Sequence, residues 1–128
     1  HLPNKCIFPE SYLAKSSDLM FDLLSPDMHC GITASCSGFY APQVRQLRLK
    51  PSRHDLIEKL TSFNYQGNKV TNFEMETGAM FGLAKLMGHH CSAVNVIVAN
   101  RITQEFSKKS EESMHSLIQL TLDRLATL

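Results

Sequence analysis

Apolar residues recur along the chain with two periods, and the alternation between them predicts the layout of the fold. Leu19, Met20, Leu23 and Leu24 fall at helical spacing within residues 17–24, and Pro26 just beyond supplies a stop, so a first helix is expected there. Residues 28–34 read as a strand. Residues 35–52, which hold Gly38, Pro42 and Pro51, read as a long ordered loop or a strand ending in one. A second helix is expected where Ser52 and Asp55 resemble a capping box ahead of Leu56, Ile57, Leu60 and Phe63. Residues 65–69 are turn chemistry, and 70–75 a short strand. Within residues 76–87, Met80, Phe81, Leu83, Ala84 and Met87 share a helical face, with Gly88 where a left-handed C-cap belongs. Residues 93–99 form a nearly unbroken, valine-rich run, the pattern of a strand covered on both faces. The last helix starts near Ser107 or Ser110 and carries Met114, Leu117, Ile118, Thr121 and Leu125 on one stripe. Strands alternating with helices imply an α/β layered architecture, in which ligands bind beyond the carboxyl ends of the strands. Residues 1–128 read as a single domain without repeats or linkers.

Composition narrows the function classes. Thirteen Lys+Arg against 12 Asp+Glu leave a net charge of +1, which argues against a nucleic-acid protein that relies on bulk positive charge. With 43% hydrophobic and 20% charged residues among 128, the chain is expected to fold rather than stay disordered. No apolar run approaches the roughly 18 to 20 residues that cross a bilayer, and no charged-then-apolar leader opens the chain, so a cytoplasmic location without a membrane partner is expected. The first residue is His1 rather than Met, which suggests a processed chain or a piece of something longer. Cys6, Cys30, Cys36 and Cys91 form no Cys-x-x-Cys pair, so reduced thiols and no metal site are expected.

Two places put polar residues where strands end. In the segment containing Phe39, Gln43 and Arg45, an amide and a guanidinium lie two residues apart and, if extended, point the same way. Together they could read the edge of a planar heterocycle while Phe39 stacks on its face; equally, they could tie down backbone carbonyls of the loop. In Glu74-Met75-Glu76, two carboxylates flank a methionine at a strand-to-helix junction. Glu76 is expected in the first helical turn, where the macrodipole favours its anionic form for accepting sugar hydroxyls. The alternative is helix capping by Glu76 and a buried structural pair for Glu74. His89-His90, Lys108-Lys109 and Glu111-Glu112 read as solvated helix ends, the methionines as core filler, and no glycine-rich phosphate loop is present.

Three stretches then carry a resemblance: residues 31–35 leading to Phe39-Tyr40 and Gln43-x-Arg45; Asn72-Phe73-Glu74-Met75-Glu76; and Val96 to Arg101 with Thr103-Gln104-Glu105. In this order and at these separations the chain resembles the C-terminal half of uridine phosphorylases, within the nucleoside phosphorylase family. The resemblance implies a three-layer α/β fold with a mixed central sheet flanked by helices, incomplete in this chain. It also implies reversible phosphorolysis of uridine to uracil and ribose 1-phosphate, with inorganic phosphate as co-substrate, no organic cofactor and no metal. Arg45 and Glu76 would be the catalytic pair, Gln43 and Phe39 would bind the base, and Val98 and Ala99 would wall it. Glu74, Met75 and Glu76 would form the ribose side. Purine enzymes of the family look for an Asp where this chain has Asn100 or Arg101, so the pyrimidine branch is favoured.

The family's phosphate motif lies in the N-terminal half, and Arg48, Lys50 and Arg53 do not match it. The phosphate-binding residues are therefore unassigned. The partners implied are the missing N-terminal half or a companion chain, and further copies in a dimer or hexamer; alone, the 128-residue chain is expected to be inactive. Alternatives are a nucleoside or nucleotide hydrolase of the same family, a purine-specific relative, and a non-catalytic nucleoside-binding fragment.

Overall fold

In the computed structural model, which describes residues 11–51 and 53–128, the chain enters its first helix at Ser17. That residue keeps extended backbone (φ −67°, ψ 142°), and its Oγ accepts the Met20 N–H at 3.3 Å, which satisfies one orphan donor of α1, Asp18–Leu24. Asp18 adds a carboxylate at the positive end of the helix. Ser17→Ala is expected to cost about 1 kcal/mol in urea unfolding, the usual worth of such a cap.

The strand expected over 28–34 is shorter and later: β1 is Ile32–Ser35. The loop that follows contains one 3-10 turn, Ala41–Gln43. Helix α2 is Leu56–Ser62, with Asp55 at its N-cap position but no side-chain capping bond; the Asp55 carboxylate instead pairs with Lys59 at 2.5 Å. Ser52, the other half of the expected capping box, lies outside the described residues, as does Cys6. Strands β2, Asn64–Tyr65, and β3, Asn68–Glu74, form a hairpin whose two turn residues, Gln66 (φ 52°) and Gly67 (φ 85°), both lie in the left-handed region that such tight hairpins demand.

Strand β3 is the centre of a mixed sheet of order β1-β3-β2. It pairs parallel with β1 in a register that sets Thr33 against Asn72, Ala34 against Phe73 and Ser35 against Glu74. The Thr33 hydroxyl donates to Asn72 Oδ1 at 2.9 Å across that pair. Helix α3, Thr77–Met87, packs on β1 and ends at Gly88 (φ 72°), where the His89 N–H returns to the Ala84 carbonyl at 2.8 Å. Strands β4, Ala99–Asn100, and β5, Glu105–Phe106, make a separate antiparallel pair. Helix α4, Ser110–Leu125, packs on α1, and its Arg124 donates to the carbonyls of Leu24 (2.6 Å) and Pro26 (2.7 Å).

The apolar run expected as a strand over 93–99 pairs only at its end, through Ala99 in β4. A covered central strand needs a neighbour on either side, and among the described residues 93–97 have no strand partner, while the Val98 carbonyl takes a single bond from the Ser107 N–H at 2.9 Å; Ile97 and Val98 are 52% and 53% exposed. The same holds more widely. Among the described residues, Leu24 is the buried member of the large apolar set, while Leu49, Leu86 and Phe106 stand in solvent. Cys30, Cys36 and Cys91 are free thiols. No helix of the described residues is long and apolar enough to cross a membrane, and those residues hold no cluster of three or more metal-ligating side chains.

Candidate functional site

The loop after β1 does not run extended through Gln43 and Arg45. Pro42 sits in the second position of the 3-10 turn and Val44 closes it in the left-handed region (φ 61°, ψ 24°), an uncommon conformation for a β-branched residue. The Val44 N–H donates to the Ala41 carbonyl at 3.0 Å and the Arg45 N–H to that of Tyr40 at 2.8 Å. This reversal brings the two side chains together by folding rather than by strand alternation. The Arg45 guanidinium lies 3.5 Å over the Phe39 ring centroid and donates to the Phe39 carbonyl (2.5 Å) and to Gln43 Oε1 (2.7 Å). One face of Phe39 is therefore occupied by a cation, and Tyr40 meets the ring edge-on at 5.2 Å.

A second guanidinium reaches the same amide from the turn just after β4. Arg101 donates to the Gln43 carbonyl at 2.6 Å and to Gln43 Oε1 at 2.8 Å. Gln43 is only 4% exposed, and both lone pairs of its side-chain oxygen are taken up by arginines. Partial burial, and then the like charge of Arg45, pull the Arg101 pKa below that of free arginine. Each guanidinium carries five N–H donors, more than these bonds use. Such a cluster suits a ligand that presents carbonyl oxygens or gathers negative charge.

The second group of residues stands at the end of β3. Glu74 Oε2 accepts the N–H of Glu76 (2.6 Å) and of Thr77 (2.5 Å), and Glu74 Oε1 accepts the Ser35 hydroxyl. Ser35 Oγ in turn accepts the Gly78 N–H at 2.7 Å. Glu74, not Glu76, thus caps α3. Glu76 is the N-cap residue, one position ahead of the expected first turn; its side chain makes no capping bond and accepts the Met75 N–H at 3.2 Å. Partial burial raises the Glu74 pKa, but the Ser35 hydroxyl, the backbone N–H groups of Thr77 and Glu76 and the Thr77 side chain outweigh it and hold the carboxyl below its ordinary value.

Cys36, Phe73 and Arg101 connect the two groups. The Cys36 N–H donates to the Glu74 carbonyl at 2.9 Å, and the Arg101 guanidinium carbon lies 5.4 Å from the centroid of Phe73. Burial raises the Cys36 pKa; Arg101 opposes this and the Glu74 charge adds to it. Met75 stands exposed. Ala99 and Val98 lead into the Arg101 segment, where Asn100 Oδ1 accepts the N–H groups of Ile102 (2.8 Å) and Thr103 (3.2 Å) and so shapes the turn between β4 and β5.

Of the residues expected at the site, Phe39, Gln43 and Arg45 come together in one group, and Glu74, Met75 and Glu76 in the other. Arg101 and Ser35 were not among them, although both lie inside the stretches that carry the resemblance. Arg101 could have been found as the cation directly after the apolar run.

The sequence pattern of the phosphorylase superfamily matches residues 9–126, nearly the whole chain. The chain belongs to that superfamily. A curated uridine phosphorylase from Thermococcus kodakarensis is 38% identical over 87 residues, which is 66% of this chain and 30% of that protein. A Trypanosoma brucei nucleoside phosphorylase, whose crystal structure is described as showing uridine phosphorylase activity, superposes with a TM-score of 0.76 at 22% identity. That match covers 90% of this chain and 43% of the other. The mixed sheet and its flanking helices are thus part of a nucleoside phosphorylase fold. This superfamily chain spans less than half the length of either relative.

Proposed function

We propose that the chain supplies the base- and ribose-binding part of a uridine phosphorylase, which converts uridine and inorganic phosphate to uracil and ribose 1-phosphate. The observation that carries this reading is the buried Gln43 amide gripped by Arg45 and Arg101. Uracil departs with the electron pair of the bond between its ring nitrogen and the anomeric carbon, and the charge spreads onto ring carbonyls. Fixed donors serve that leaving group better than a transferable proton. A purine would pair these groups poorly, and buried polar groups left unpaired reject a ligand strongly. A phosphate oxygen forms the new bond to the anomeric carbon while the sugar carries positive character, which the exposed carboxylate of Glu76 would stabilise. No residue need bond covalently to substrate, and inorganic phosphate is the co-substrate with no organic cofactor. Phe39, Val98 and Ala99 would flank the base, and Met75 the sugar.

The phosphate-binding groups are proposed to come from further polypeptide, in the same chain or a companion, within a homo-oligomer. The run over 93–97, which has no strand partner among the described residues, and the exposed apolar side chains support that reading, as does the extent of the two relatives. In the complete protein, uracil release from uridine is expected to require phosphate and to exceed hypoxanthine release from inosine. Equal uracil release without phosphate would establish a hydrolase instead, and faster turnover of inosine would establish a purine enzyme.

A further inference from the structure

We propose that Glu74 is a positioning residue for Glu76 rather than a ligand of the sugar. The proposal rests on the reading just given, in which Glu76 meets the ribose. Two carboxylates two residues apart sit at one helix start, yet they are bonded very differently. Both lone pairs of Glu74 Oε2 are engaged, by the N–H groups of Glu76 and Thr77, and its Oε1 holds the Ser35 hydroxyl. Ser35 Oγ takes a third N–H, that of Gly78. Glu74 and Ser35 together therefore satisfy three successive N–H groups where α3 begins and tie them to the end of β1, the residue paired with Glu74 in the sheet.

This division of labour frees Glu76. A carboxylate at an N-cap position ordinarily turns inward onto the first N–H groups of its helix. Here the Thr77 and Gly78 donors are already taken by Glu74 and Ser35, and the Glu76 carboxylate accepts only the neighbouring Met75 N–H, so it retains acceptor sites for two hydroxyl groups. Gly78 belongs to the same device. A Cβ at that position would stand 3.1 Å from both Ser35 Cβ and Ser35 Oγ, so a side chain there presses on the clamp without touching either carboxylate.

The clamp depends on charge. Glu74 is held below the ordinary carboxyl value, so its contribution is complete above that value and is lost as pH falls through the lowered one. Protonation removes acceptor capacity, releases the helix start and lets Glu76 turn inward.

The test uses Glu74→Gln, Ser35→Ala and Gly78→Ala in the complete protein, with two independent readouts. In backbone amide exchange, Glu74→Gln and Ser35→Ala are expected to speed exchange at Glu76, Thr77 and Gly78 by about tenfold or more, with α4 unchanged as the sign of an intact fold. In kinetics, Glu74→Gln is expected to lower kcat for uridine about tenfold or more while uracil binding stays within about twofold, because only the sugar-side group has moved. Gly78→Ala improves helix propensity, so a lowered kcat without loss of stability supports the clamp. Unchanged amide protection in Glu74→Gln and Ser35→Ala would overturn the proposal, as would a raised uridine KM with kcat and exchange intact, the mark of a direct sugar ligand. If the wild-type protein cleaves no nucleoside, the functional reading fails, and the exchange arm alone decides whether Glu74 positions Glu76.

Discussion

Arg45→Ala is expected to lower kcat for uridine phosphorolysis by about 10² to 10³, the usual cost of removing a donor aimed at developing negative charge. The fold should survive the change. Gln43 Oε1 keeps its bond from Arg101, and the Phe39 carbonyl is not enclosed, so thermal unfolding should move little. Removing one of two adjacent like charges offsets part of the lost attraction. Arg45→Lys should recover only a fraction of the rate. A lysine keeps the charge but lacks the planar fork that reaches two acceptors while stacking on Phe39. Steady-state kinetics with uridine, beside a thermal melt of each variant, check both halves of the prediction. A rate loss accompanied by an equal loss of folded protein would assign Arg45 to the scaffold instead.

Arg101→Met should show the reverse balance, with a large stability cost joined to a catalytic one. Methionine keeps much of the volume against Phe73 but removes both bonds to Gln43. The Gln43 carbonyl is left without its Arg101 donor in a site that is 4% exposed, a loss of about 1 to 3 kcal/mol. Urea unfolding measures it directly. The side-chain amide then hangs from Arg45 alone, and a misplacement of roughly 1 Å in a group that orients substrate can cost about 10²-fold in kcat/KM. The Arg45 and Arg101 substitutions share Gln43 as a partner, so their combined effect should depart from the sum of the two.

The local signals that proved legible in the sequence are those with a short-range cause. Pro26 after α1, Gly88 after α3 and the turn within residues 65–69 each act within a few residues, and the structure places all three where the pattern puts them. Element boundaries moved where the cause is not local. The strand expected over 28–34 became Ile32–Ser35 because its extent is set by pairing with β3, a partner 39 positions along the chain from Ser35. The run over 93–99 failed for the related reason that hydrophobicity prescribes burial without providing the neighbour.

The sequence by itself determined the residue chemistry of the site and its order along the chain. Gln43, Arg45, Glu74 and Glu76 follow from side-chain types at strand ends, and the α/β class from the alternation of periods. Only the tertiary structure decided which of these groups are already committed. Gln43 and Arg45 meet because Val44 turns the chain back in a conformation that its side chain disfavours, where extended backbone was expected. Arg101 joins them from 58 residues away, and Ser35 reaches Glu74 across the sheet. The two glutamates look alike in sequence, yet one is bonded to three groups and the other to one. That difference arises because hydrogen-bond capacity is allotted by three-dimensional proximity, so the free carboxylate is known only after its neighbours have been placed.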